Sequence, residues 1–259
     1  MLSAAIALVL ATRKMFRNPK EERWEIFLAV SGLMFLVAVW TNFFLTWCGI
    51  HYTARFDLYA YRLDKMFGEP SFMVGRYLLT HMWLDYLAMS AYYLLFSVMF
   101  FVVCWYFLTQ PLEDAMTVVR TFLITPVSQL ISLAFPMSGP YYAFNEFPWR
   151  MPDGSAHVIQ ITAPPNCMPS DHLTMALLIL YFSRRWYPAT LLATFYLFLV
   201  ELATLGSGEH YMIDLIAAVP FTCFVVYLGG SNKEYARRPL QATDHGCAYA
   251  EEITRRPRK

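Results

Sequence analysis

Apolar residues in this chain gather into long unbroken runs rather than into the short alternations of a soluble core. Six runs stand out, at roughly 26–48, 83–108, 116–136, 171–186, 187–206 and 210–229. Most approach the ~20 residues that a helix needs to cross a hydrocarbon core. The pattern predicts an all-α, polytopic membrane protein with six transmembrane helices. The fourth run is short, so its first turn is expected to sit below the headgroup level, under a water-filled pocket. The fifth and sixth runs meet at Gly206-Ser207-Gly208, a tight turn in which glycine admits positive φ.

Between the runs lie two segments of different character. Residues 49–82 mix Tyr59, Tyr61, Met66 and Phe67 with charges, which predicts a helix lying in the interface within the first outer loop. Residues 137–170 are rich in proline, glycine and aromatics and form the longest outer loop, a common way to shape a substrate entrance. The first twelve residues are apolar but too short to span, and read as an interfacial segment. Three units follow: 1–25 as a cytoplasmic or interfacial N-terminal segment, 26–229 as a six-helix membrane catalytic domain, and 230–259 as a cytoplasmic basic tail.

Composition agrees with the pattern. Of 259 residues, 58% are hydrophobic and 15% charged, against about 45–50% and about 25% in soluble domains. The net charge of +1 matters less than its placement. Arg13, Lys14, Arg17, Lys20 and Arg23 precede the first run, Arg184 and Arg185 join the fourth and fifth, and seven basic residues crowd the tail. Six crossings put all three groups on one side, which the positive-inside rule makes the cytoplasm. Both termini are therefore expected inside, in a plasma or inner membrane rather than an organelle. The five cysteines show neither metal-type spacing nor a disulfide framework.

The polar residues that interrupt the apolar runs carry the candidate chemistry. Pro169-Ser170-Asp171-His172 opens the fourth run. Ser170 or Asp171 can cap a helix there, and the free N–H groups of a helix N-terminus attract phosphate. Gly208-Glu209-His210-Tyr211-Met212-Ile213-Asp214 opens the sixth. Asp214 follows His210 by four residues, one helical turn, where a carboxylate can orient an imidazole. Histidine and aspartate inside a membrane are costly, and mark function by default. On the six-span topology both histidines face the extracytoplasmic side, equipped for phosphoryl or acyl transfer. Two other classes stay open. A zinc-dependent membrane hydrolase could use His172, His210 and Asp214 as ligands. A non-enzymatic lipid transporter or binding protein could use a buried polar pair.

These motifs resemble those of the type-2 phosphatidate phosphatase superfamily, which includes the vanadium haloperoxidases. The family's second motif, Pro-Ser-Gly-His or a variant, corresponds to Pro169 through His172, and its third motif, ending His-x-x-x-Asp, to His210 through Asp214. The resemblance implies that His210 is the nucleophile that becomes phosphohistidine, that Asp214 orients it and that His172 protonates the leaving group, with no cofactor and no metal. The family's first motif, Lys-x6-Arg-Pro, has no counterpart here. The arginine ahead of the third motif falls at Thr204, and its serine at Ala203. Loss of these cations makes the chain look more similar to the divergent branch of inositol phosphorylceramide and sphingomyelin synthases. The stretch Phe135 through Tyr141 and the sequence Gly208-Glu209-His210-Tyr211 are similar to that branch too. The implied substrate is a lipid phosphate or phospholipid, with an alcohol such as inositol or ceramide as acceptor and no nucleic acid. Headgroup transfer is slightly favoured over hydrolysis. Substrate-binding candidates are Ser170, Asp171, Arg150 and Tyr141, with Arg76 as a second cation.

Overall fold

The computed structural model describes residues 23–152 and 155–230. The expected N-terminal interfacial segment and the basic tail lie outside the described residues. Eleven α-helices carry the fold among the described residues. Three helical stretches among the described residues, Arg23–His51, Leu112–Ala134 and Tyr187–Gly206, or up to four when one bent pair counts as a span, are long and apolar enough to cross a membrane.

Helix α1 runs Arg23–His51, longer at both ends than the first apolar run. A two-residue strand β1 (Ala54–Arg55) follows, then α2 (Asp57–Met66) and α3 (Pro70–Thr80). The first outer segment was expected to hold one helix. It holds two, because Gly68 and Glu69 both adopt positive φ and Pro70 then starts a fresh helix. Helices α4 (Met82–Tyr93) and α5 (Leu95–Thr109) cover the second apolar run and bend by 50° at Leu94. The third run begins earlier than expected. Helix α6 (Leu112–Ile124) starts behind Pro111, a 3-10 turn at Thr125–Val127 surrounds Pro126, and α7 (Ser128–Ala134) completes it. The turn forms there because proline has no N–H to give the helix.

The long loop contains the single turn α8 (Pro140–Ala143) and strand β2 (Ile159–Gln160). The all-α expectation is thus corrected by one small element. The strand β2 pairs antiparallel with β1, Ala54 opposite Gln160, tying residues 49–82 to residues 137–170. Helices α9 (Asp171–Ser183), α10 (Tyr187–Gly206) and α11 (Met212–Leu228) finish the bundle. Helix α9 is shorter than its apolar run because the chain turns at Arg184.

Helix α9 is central. It packs on α10, α11 and α5, while α10 also lies along α3 and α4. The core between them is apolar and fully buried at Leu95, Val103, Tyr106, Val118, Phe182 and Val225. Helix α1 touches mainly α6 and leaves Phe35, Trp40, Phe43, Trp47 and Ile50 exposed. Apolar side chains facing outward along a whole helix suit hydrocarbon rather than water.

Candidate active site

The starts of α9 and α11 lie side by side, so each brings its histidine to one place. Ser170 is the N-cap of α9. Its Oγ accepts from the Leu173 N–H at 3.3 Å, and its own N–H donates to the Asp214 carbonyl. That last bond joins the two helix starts directly. The ring centroids of His172 and His210 are 5.8 Å apart, edge to face.

His210 does not sit on α11. Tyr211 is the N-cap and the helix begins at Met212, so residues 210 and 214 do not share a helical face as their spacing suggested. The direct bond expected from Asp214 is accordingly not formed. The Asp214 carboxylate is 3.8 Å from His210 Nδ1, and that nitrogen instead lies 2.8 Å from the Cys167 carbonyl oxygen. A carbonyl only accepts, so Nδ1 carries the proton and Nε2 keeps its lone pair. Asp214 turns one oxygen to the Tyr211 N–H at 2.7 Å and to the Cys167 thiol at 2.7 Å. Its other oxygen is buried without a hydrogen-bond partner. The carboxylate therefore supports a charged imidazole by proximity and braces the loop by hydrogen bonding.

His172 is held differently. Its ring stacks on Tyr92 with centroids 4.1 Å apart. The Tyr92 hydroxyl donates to Glu209 and lies 3.3 Å from His172 Nδ1. With its proton given to Glu209, that hydroxyl offers only lone pairs to the imidazole. His172 thus carries its proton on Nδ1, and its Nε2 is bare as well. The chain Glu209–Tyr92–His172 was not read from the sequence, because nothing in a run of apolar helix distinguishes Tyr92 from its aromatic neighbours.

Residues 49–82 also contribute. Asp57 and Asp64 lie seven residues apart on α2, two turns on one face, and both are buried. Asp57 accepts from the Ser138 and Gly139 N–H groups and from the Tyr211 hydroxyl. Burial pushes its carboxyl up to about 6, against the pull of those bonds. Asp64 accepts from the Met212 N–H at 2.7 Å and is also raised by burial. The Ser71 hydroxyl stands between Asp64 and the His210 carbonyl. Two carboxylates at the start of α11 complement its dipole and fix the histidine loop from below. Arg55 is fully buried and donates to Ser138 Oγ and to the carbonyls of Tyr52, Ala54 and Ala163. Burial lowers its pKa, partly offset by Asp57. Its four bonds hold residues 52–55 against the long loop. In the sequence these residues were only charges within the mixed segment 49–82, since burial is invisible there.

Of the remaining candidates, Asp171 opens α9 beside His172, and its Oδ2 accepts from Gln129 Nε2 at 2.8 Å. Tyr141 donates its N–H to the Gly208 carbonyl, next to the histidine loop, while its ring is exposed. The Arg76 guanidinium donates to the Pro148 carbonyl. Arg150 is exposed, and no hydrogen bond or ion pair of its side chain is seen among the described residues. No arginine or lysine bonds to His172, His210, Asp171, Asp214 or Glu209 among the described residues.

A metal set would have to be different from the one expected. His172 is not part of it. Cys167, His210 and Asp214 bring one ligand atom each within 4.8 Å of one another. The Cys167 sulfur and the Asp214 oxygen are 2.7 Å apart, however. Two such ligands of one tetrahedral zinc ion stand about 3.5 Å apart, given Zn–S of about 2.3 Å and Zn–O of about 2.0 Å. Burial and the nearby Asp214 and Asp57 charges push the Cys167 thiol well up, so it stays protonated and donates. The trio fits a hydrogen-bonded brace better than a metal centre.

The profile of the PAP2 superfamily matches residues 61–228. That is more than half of the chain and contains both histidines, and the chain belongs to this superfamily. No match is found among curated proteins or among solved structures.

Proposed function

We propose that this member of the PAP2 superfamily is an integral-membrane enzyme that moves a phosphate-bearing group on or off a lipid through a phosphohistidine at His210. The observation that carries the reading is the pair of imidazoles 5.8 Å apart, each with Nδ1 engaged. Nε2 of His210 attacks phosphorus, and the P–O bond to the lipid or headgroup alcohol breaks. His172, once it has taken up a second proton at Nε2, gives that proton to the departing alkoxide. Water or an alcohol then attacks phosphorus, His172 takes its proton, and the P–N bond breaks. Asp214 at 3.8 Å stabilises positive charge on His210. Glu209 does the same for His172 through Tyr92.

Between hydrolysis and transfer, we favour transfer of a phosphodiester headgroup to an alcohol such as inositol or ceramide. The support is electrostatic. Among the described residues the histidines stand among carboxylates without a bound arginine or lysine, and a phosphodiester carries less charge than a monoester. This keeps the chain with the inositol phosphorylceramide and sphingomyelin synthase branch. Arg150, exposed and unpaired among the described residues, is the proposed anchor, with the N–H groups at the start of α9 as a second. Six spans, with both termini cytoplasmic and the site on the extracytoplasmic face, complete the proposal. The short helices α9 and α11 are then the fourth and sixth spans.

The test is a leaving-group comparison with adduct trapping. His210→Ala should abolish turnover of every phosphoester and of the acid-labile adduct. His172→Ala should still form the adduct from a nitrophenyl phosphodiester, whose leaving group needs no proton. Undiminished activity in His210→Ala would overturn the assignment.

A further inference from the structure

Beside His172 a chamber of about 240 Å³ runs between α1, α5, α6 and α9. Its walls are apolar, with Met34, Val37 and Leu45 from α1, Phe96 and Met99 from α5, and Phe122 from α6. Its polar lining includes Asn42, Thr125, Asn166, Asp171 and His172. His210 is not among the lining residues. The chamber therefore meets the histidine that exchanges a proton with an alcohol, and not the one that would bond to phosphorus. One wall is α1, which lies ahead of the matched residues 61–228.

Of the polar groups lining that end, Thr41, Asn42, Thr125 and Asn166 among them, none donates to Asp171 Oδ1. Asp171 Oδ2 is taken by Gln129, and the Ser128 hydroxyl lies close to the same carboxylate. Asp171 Oδ1 nevertheless has no hydrogen-bond partner, nor does Gln129 Oε1, and both are buried. Leaving a buried acceptor unpaired costs about 1–3 kcal/mol. A ligand group that satisfies it must bring an O–H or N–H. A phosphate there would meet the Asp171 carboxylate with no cation between them.

We propose that this chamber is the subsite for the alcohol half of the ester, and that it takes a lipid alcohol bearing a second donor, a hydroxyl or amide N–H, beside the reacting oxygen. The hydrocarbon lies along α1 and α5, the reacting oxygen meets His172, and the second donor meets Asp171. This rests on the phosphoryl-transfer reading. It adds that a plain diacyl alcohol, which has no such donor, is the poorer occupant.

The test compares two phosphodiester probes that differ by one hydroxyl, the methyl phosphodiester of 1-acylglycerol 3-phosphate and its 2-deoxy analogue, on the full chain in detergent. Turnover is read on the wild type, and binding of both probes on His210→Ala. The expected wild-type preference for the hydroxyl-bearing probe is at least tenfold in kcat/KM, about 1.4 kcal/mol, with a similar ratio in Kd. Asp171→Leu should bring both ratios towards one. Met99→Trp, which fills the chamber from α5, should lower the ratio of lipid to nitrophenyl-ester kcat/KM at least tenfold, and serves if Asp171→Leu does not fold. Turnover without discrimination between the two probes overturns the chamber assignment and leaves the enzyme reading intact. Discrimination in binding with no turnover of any phosphoester sinks the enzyme reading instead and keeps the subsite.

Discussion

Replacing Tyr92 by phenylalanine isolates one hydrogen bond. The ring that stacks on His172 at 4.1 Å stays, so packing changes little. What goes is the hydroxyl that ties Glu209 to His172 Nδ1 across 3.3 Å. At that length the bond to the imidazole is an ordinary one, contributing about 0.5–1.5 kcal/mol. If all of it stabilises the protonated imidazole in the transition state, kcat should fall between about 2-fold and about 13-fold. The loss should appear only where His172 must donate. An alkyl phosphodiester should show the full effect, and a nitrophenyl ester less than half of it on a logarithmic scale. KM should hardly move for either, since no substrate contact is removed. Steady-state kinetics on both esters, with thermal melting in detergent to confirm folding, decide the matter. Equal losses on the two esters, or none on either, would refute the relay from Glu209 through Tyr92.

Three further outcomes are expected. Asp214→Asn should leave lipid binding nearly intact and lower kcat severely, because the charge 3.8 Å from His210 disappears; a change confined to KM in steady-state kinetics would contradict this. Arg150→Ala should lower kcat/KM at least tenfold, about 1.4 kcal/mol, with Arg150→Lys recovering only part because an ammonium lacks the guanidinium fork; wild-type kinetics would leave the helix N–H groups as the anchor. For the topology, a cysteine placed at Ser155 should react with an impermeant maleimide added from outside, and one at Arg184 should not; the reverse pattern would move the site to the cytoplasmic face.

Much of the local architecture was legible in the chain. All six apolar runs contain helices close to their expected bounds, because a run of apolar side chains has few other ways to satisfy its backbone in lipid. The Pro169-Ser170 start of α9 was legible for the same kind of reason, a proline ahead of a hydroxyl-bearing cap. Spacing misled at His210 and Asp214. Four residues imply one turn only inside a helix, and Gly208 with φ of 75° and an N-cap at Tyr211 keep His210 outside it.

What the sequence determined by itself are properties of single segments: which stretches are apolar, where helices begin, and which two motifs carry histidine. What the tertiary structure decided are properties of pairs. It set Cys167 rather than Asp214 against His210 Nδ1, and it stacked Tyr92 on His172 across 80 residues of chain. It buried Arg55, Asp57 and Asp64, charges of the expected interfacial segment, as braces beside the histidine loop. It also set α1 against α5 and α6 to open a chamber at Asp171. Hydrophobicity and capping act between neighbours in the chain, so a sequence displays them. Hydrogen-bond partners and cavities arise between segments that meet only when the bundle packs, and residue order does not encode those distances one segment at a time.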